Sequence, residues 1–224
     1  MILVFDLDDT LYDETTFVKS GFRSVAQFLS ENYSLSEKEI YQALLTEFEK
    51  GRGSIFDEVL LKNHIFSKKL VRKCISVYRL HAPDIKLYAE AKQCLKRFKD
   101  YPIYIVTDGN KVVQYNKIKA LGLDKIVKFY FITYRYGRHH SKPSPYCFQK
   151  IASLEKTNAS DIVYIGDNVT KDFVGIKPLG FRTIQAMTGQ YAHIQKPASY
   201  QAETKINSLN ELTEKYIIDF FKKK

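Results

Sequence analysis

The first ten residues, MILVFDLDDT (1–10), set Ile2, Leu3, Val4 and Phe5 directly ahead of Asp6, Asp8, Asp9 and Thr10. Four consecutive apolar side chains with no polar alternation read as a strand buried on both faces, the habit of a parallel sheet covered by helices. Such sheets bind ligands at the carboxyl ends of their strands. The carboxylates therefore stand at the mouth of a buried strand. A second stretch, IVYIGDNVTKD (162–172), repeats the arrangement: the apolar run 162–165 leads to Asp167 and, about one helical turn on, to Asp172.

Working outward, IYIV (103–106) and FYFIT (129–133) add two more short apolar runs, with amphipathic segments at 87–98, 110–122 and 144–156. Gly122 suits a helix stop, and Pro145 suits the first turn of the next helix. RTIQA (182–186) and TKI (204–206) are expected as edge strands. Residues 209–221 are expected as one closing helix ahead of solvated Lys222, Lys223 and Lys224. The alternation predicts a doubly wound, mainly parallel α/β sheet of Rossmann-like type. One interval breaks the rhythm, because residues 14–83 carry helical periodicity alone, with Ser36 and Glu39 spaced as a capping box. The expectation is a core domain of 1–13 and 84–224 and an inserted α-helical bundle of 14–83, hinged near 12–15 and 81–85.

At 224 residues and 45% hydrophobic, the chain can bury one substantial core and a smaller accessory one. Lys and Arg outnumber Asp and Glu by 35 to 25, and the net charge of +10 favours anionic partners. Cys74, Cys94 and Cys147 are odd in number, widely spaced and without a metal-ligand pattern, so reduced thiols and a cytoplasmic location are expected. No run approaches the ~18 apolar residues of a membrane span. The immediate entry into a strand leaves no room for a removable leader, and no membrane partner is expected.

Asp6 and Asp8 lie two apart, so extended backbone points both side chains to one side. Bringing Asp167 and Asp172 near them would be repulsive and would raise some of their pKa values. A divalent cation resolves the conflict, and oxygen-only ligation suits Mg²⁺ better than zinc.

Four motifs in order, DLDDT (6–10), Thr107 in IVTDG, Lys142 in SKP, and Asp167 with Asp172 in GDNVTKD, resemble those of the haloacid dehalogenase superfamily, most of whose members are Mg²⁺-dependent phosphatases. The insertion between the first two motifs looks like that family's helical cap. The resemblance implies that Asp6 is the nucleophile, forming an aspartyl-phosphate, and that Asp8 is the general acid and then the base. It further implies a metal shell of Asp6, Asp167 and the Asp8 carbonyl. Thr107 and the backbone N–H groups of Asp108 and Gly109 would hold the phosphoryl oxygens. Lys142 would neutralise Asp6 and the phosphate, and the stretch around Asp172 would orient Lys142 or water on the metal.

Dehalogenases of this superfamily normally lack an acid at the position of Asp8, so its presence favours phosphate ester chemistry. A sugar phosphomutase of the β-phosphoglucomutase type keeps both aspartates and is the alternative. A nucleic-acid-binding module, suggested by the net charge and by KKLVRK (68–73), ranks last because no aromatic RNA-binding signature accompanies it. The expected substrate is a small anionic phosphate monoester, a nucleoside monophosphate or a sugar phosphate. Arg135, Arg138, His139 and His140, just ahead of Lys142, offer a place for a second anionic group. Arg52, between glycines in KGRGSIF (50–56), is expected to contact the non-reacting part of the substrate from the cap.

Overall fold

The computed structural model describes residues 1–222; the expectation for Lys223 and Lys224 falls outside the described residues. Chain order is β1 (Ile2–Phe5), α1 (Glu14–Tyr33), α2 (Glu37–Lys50), α3 (Ile55–Lys62), α4 (Lys68–Leu80), α5 (Ala89–Arg97), β2 (Ile103–Thr107), α6 (Lys111–Ala120), β3 (Phe129–Ile132), α7 (Tyr146–Glu155), β4 (Ile162–Gly166), β5 (Arg182–Ala186), β6 (Thr204–Ile206) and α8 (Glu214–Lys222). The strands form one six-stranded sheet in the order β3-β2-β1-β4-β5-β6, and every neighbouring pair is parallel. This is the doubly wound α/β architecture.

Register explains where the site falls. Phe5 pairs with Ile105 on one side and Ile165 on the other, so β1, β2 and β4 end close to one level. The strand order reverses at β1, and a crevice opens at the carboxyl ends where the chain runs outward in both directions.

The chain divides into two compact units, Met1–Glu14 with the chain from Lys86 onward, and Thr15–Ile85. In the first, Ile2, Val4, Tyr104, Val106, Ile162 and Tyr164 share a core with Phe148 and Ile151 of α7 and with Phe173 and Phe181. The alternate residues Leu3, Phe5, Ile103, Ile105, Val163 and Ile165 are buried as well. Successive strand side chains face opposite ways, so burial of both sets gives the uninterrupted apolar runs. In the second unit Val18, Phe22, Val25 and Leu29 of α1 pack with Ile40 and Leu44 of α2, Val59 and Leu60 of α3, and Leu70, Val71 and Cys74 of α4. Ser36 caps α2 by accepting from the Glu39 N–H at 3.4 Å, and Ser67 caps α4 by accepting from the Leu70 N–H at 3.1 Å.

Some boundaries differ from the sequence reading. Residues 209–221 do not form one helix. A turn of 3-10 helix at Leu209–Glu211, closed by the Ser208–Glu211 capping box, is followed by Leu212 at ψ 77°, outside helical space. The Thr213 hydroxyl then accepts from the Tyr216 N–H at 3.0 Å and starts α8 afresh. Pro145 occupies the cap position before α7 rather than its first turn. Strand β3 stops at Ile132, because Thr133 turns into a 3-10 segment. No described helix is long and apolar enough to cross a membrane.

Candidate active site

Asp6 follows β1 directly and is fixed by its own N–H, which donates to the Ile165 carbonyl at 2.9 Å. Its Oδ1 lies 2.9 Å from Lys142 Nζ, and the same ammonium lies 2.8 Å from Asp172 Oδ1. Lys142 also donates to the Tyr164 hydroxyl at 2.8 Å. An ammonium has three protons, and here each has an acceptor. Both Asp172 oxygens are engaged, since Oδ2 accepts from the Asn168 N–H at 2.9 Å. Asp172 thus acts as a bracket for Lys142. Burial would drive the Lys142 proton off, but Asp172 and Asp6 outweigh it and hold the group well above its usual range.

Asp167 lies at the end of β4, and Gln185 Nε2 donates to its carbonyl at 3.2 Å. Carboxylate oxygens of Asp6, Asp167 and Asp172 lie within 4.8 Å of one another, and all three residues are buried. Burial first, then Lys142 lowering and Asp172 raising, leave the Asp6 carboxyl pushed up to about 7. Burial and the neighbouring Asp6 push Asp167 up to about 9. Lys142 is already shared by Asp6 and Asp172, so Asp167 is the carboxylate short of positive charge. These are hard oxygen donors with no thiol or imidazole among them, and they fit a divalent cation of the Mg²⁺ kind.

Asp8 turns to α6. Its Oδ1 accepts from Lys117 Nζ at 2.7 Å and from the Tyr12 hydroxyl at 2.5 Å, and its Oδ2 accepts from Gln114 Nε2 at 2.8 Å. Burial pushes this carboxyl up, but the Lys117 charge and the three hydrogen bonds together bring it below the usual range. Asp9 adopts φ +54°. Its carbonyl accepts from the Thr188 hydroxyl at 2.5 Å and its Oδ1 from the Glu14 N–H at 2.9 Å, which makes it a turn residue.

Thr107 closes β2 fully buried, and its Oγ1 accepts from Gln114 Nε2 at 2.6 Å. Gly109 has φ +135°, and Asn110 caps α6 by accepting from the Val112 and Val113 N–H groups. The Asp108 side chain is a tie between motifs. It accepts from the Thr133 hydroxyl at 2.8 Å, the Lys142 N–H at 3.1 Å and Lys171 Nζ at 2.9 Å. Two glycines permit this closeness: a Cβ on Gly166 would overlap Asp172 Oδ2, and one on Gly175 would overlap the Pro143 carbonyl oxygen.

Arg52 lies in the second unit, on the turn after α2. Its guanidinium sits 5.6 Å from the Phe48 ring centre and helps line a cavity of about 170 Å³ with Phe22, Phe48, Phe56 and Tyr78. Arg135 lies over the rings of Tyr115 and Tyr130, Arg138 over Tyr134, and His140 stacks on Tyr146.

Sequence reasoning missed Gln114, Lys117, Tyr12, Tyr164 and Lys171. The signal for two of them is readable: the buried face of α6 consists of Val113, Gln114, Lys117 and Ile118, an inward stripe broken by an amide and an ammonium. Buried polar side chains need partners, and here the partners are Asp8 and Thr107.

The model of the haloacid dehalogenase-like hydrolases matches residues 1–180. A glyceraldehyde 3-phosphate phosphatase from Pyrococcus furiosus is 27% identical over 224 residues, covering 95% of this chain and 91% of the relative. Among solved structures, a 2-haloacid dehalogenase from Pseudomonas syringae superposes with a TM-score of 0.66 at 19% identity, covering 98% of each chain. A magnesium-bound HAD-type hydrolase from Bacillus subtilis gives 0.64 at 22% identity, covering 94% of this chain and 96% of that one. With the family model spanning most of the chain and the fold matched from end to end, this protein belongs to the haloacid dehalogenase-like hydrolases.

Proposed function

We propose that this hydrolase is a phosphoric monoester hydrolase that works through an aspartyl-phosphate on Asp6. The observation that carries the reading is the convergence of Asp6, Lys142 and Asp172 beside the uncompensated carboxylate of Asp167. Asp6 attacks phosphorus, forming the carboxylate oxygen to phosphorus bond as the ester oxygen departs, and that oxygen takes its proton from Asp8. In the second step Asp8 removes a proton from water as it attacks phosphorus, which releases inorganic phosphate and restores Asp6. The donors around Asp8 favour its carboxylate form, the form this second step uses. Thr107 and the N–H groups of Asp108 and Gly109 hold phosphoryl oxygens, and Lys142 balances their charge. A divalent cation, proposed as Mg²⁺, would be held by Asp6, Asp167 and the Asp8 carbonyl, and would supply positive charge against the repulsion between Asp6 and an anionic substrate.

The acid at position 8 favours phosphate esters over organic halides. The name of the Pyrococcus furiosus relative favours a small sugar phosphate over a nucleoside monophosphate. The helical unit is proposed as the cap, with Arg52 contacting the non-reacting part of the substrate. Three buried free cysteines, Cys74, Cys94 and Cys147, suit a cytoplasmic enzyme.

The test is a hydrolysis screen of the purified protein over sugar phosphates and nucleoside monophosphates, with Mg²⁺ or with excess chelator, and with Asp6→Asn as the control. Cation-dependent phosphate release lost in Asp6→Asn is expected. Absence of release from every ester, or equal release by Asp6→Asn, would overturn the reading.

A further inference from the structure

We propose that Gln114, which touches no reacting atom, sets the direction of the Thr107 hydroxyl and ties it in register with Asp8. The inference rests on the proposed role of Thr107 as a phosphoryl-oxygen donor, and deepens it.

Asp8 has three side-chain neighbours at hydrogen-bond distance, Lys117 and Tyr12 at Oδ1 and Gln114 at Oδ2. A carboxylate only accepts. With Asp8 in the carboxylate form that its second step uses, the Gln114 atom facing it at 2.8 Å is the amide nitrogen; the opposite orientation would set two unprotonated oxygens against each other. That nitrogen also lies 2.6 Å from Thr107 Oγ1. With one amide hydrogen committed to Asp8 and the other to Thr107, the Thr107 oxygen is an acceptor towards Gln114. Its own hydrogen remains to be donated elsewhere, as an anion site requires.

The surroundings hold this arrangement. Gln114 and Thr107 are both buried, so water does not compete freely for the amide. Lys117 lies one helical turn beyond Gln114 and fixes the other Asp8 oxygen, so the two α6 side chains grip the carboxylate from one face. A Cβ on Gly109 would lie 3.2 Å from Gln114 Cγ and Cδ. The missing side chain at 109 thus leaves room for the amide, in addition to permitting φ +135°. Gln114 is a positioning residue: it couples the group that handles the leaving-group proton to the hydroxyl that holds the phosphoryl oxygens.

The test measures competitive inhibition by inorganic phosphate, together with kcat/KM for an aryl phosphate, in the full-length enzyme with its cation. The variants are Thr107→Val, Gln114→Met, Gln114→Glu and the double variant Thr107→Val with Gln114→Met. Loss of one hydrogen bond to a charged group corresponds to about tenfold or more in affinity, so each single variant is expected to weaken phosphate inhibition by about tenfold. The double variant should be no weaker than either single one, because both remove the same donor. Gln114→Glu matches glutamine in shape but presents acceptors to Thr107, so it should lose at least as much as Gln114→Met. Melting temperatures separate these losses from unfolding, and the glutamate variant keeps the comparison available if the methionine one fails to fold. Multiplicative losses in the double variant, or a Gln114→Glu enzyme closer to wild type than Gln114→Met, would overturn the inference. Normal phosphate inhibition in Thr107→Val would instead overturn the assignment of Thr107 on which it rests.

Discussion

Gly175 packs against Pro143 so closely that any side chain at 175 would occupy the space of the Pro143 carbonyl oxygen. Pro143 follows Lys142, so the turn after β4 fixes the path of the backbone that delivers the ammonium to Asp6. Gly175→Ala is expected to cost about 1–3 kcal/mol of stability through overpacking. Under the role proposed for Lys142 it should also lower kcat by about a hundredfold, since displacing a catalytic group by an ångström has effects of that order. Denaturant melts and steady-state rates of the variant check both. A variant with wild-type kcat would mean that the Lys142 loop yields without moving its side chain.

A divalent cation should weaken the pH dependence of stability. Burial raises the folded-state pKa from 3.8 to about 7 for Asp6 and about 9 for Asp167, with Lys142 partly offsetting it in each case. Across the interval from 3.8 up to those values the folded chain binds more protons than the unfolded one, so stability falls as pH rises. A cation favours the deprotonated carboxylates and opposes the fall. In chelator the melting temperature should be lower at pH 8.5 than at pH 5.5, and Mg²⁺ should raise it more at the higher pH. A Mg²⁺ shift equal at both pH values would argue against a cation held by this pair.

Asp8→Asn should separate substrates by leaving group. An alkyl ester oxygen needs a proton as it departs, and losing the acid costs about 10²–10⁴-fold; an aryl oxygen departs with less help. Rapid-quench measurement of the first turnover isolates this step from hydrolysis of the intermediate. Equal losses for both esters in the first turnover would remove Asp8 from the acid's role.

Arg52→Ala should lower kcat/KM for the preferred sugar phosphate by about tenfold, equivalent to about 1.4 kcal/mol, and leave a small aryl phosphate almost unchanged. Equal losses on both substrates would make Arg52 a structural residue, and no loss on either would place specificity elsewhere.

The strands were legible because burial on both faces removes polar alternation, and the runs at 2–5, 103–106 and 162–165 carry that mark. The carboxyl ends of the first and third of these runs led to Asp6 and Asp167 by the general geometry of parallel sheets, whereas Thr107 was singled out by the family resemblance. The closing helix was misread because the apolar spacing of 209–221 continues through Leu212, whereas the Ser208 and Thr213 hydroxyls define two separate starts. Tyr12, Tyr164 and Lys171 were not legible at all. Their partners, Asp8, Lys142 and Asp108, are set by the fold, and a tyrosine or lysine in sequence carries no mark of the acceptor it will meet.

The central place of β1 has a consequence for how the protein is made. Leu3 pairs with Ile103 and with Val163, so β1 leaves the ribosome well ahead of either partner. Pairings this distant along the chain slow folding, and the helices of Thr15–Ile85, whose core is drawn from their own neighbours, have no such wait. Meanwhile Ile2, Leu3, Val4 and Phe5 form an apolar segment with both edges open, the sort of surface that associates with other chains or with chaperones. Until β4 and the residues after it are translated, Asp6 has no Ile165 carbonyl to hold its N–H and no Asp172 to bracket Lys142. Asp6 is translated long before these partners, and a nascent chain stalled before residue 160 would carry the proposed nucleophile without a site.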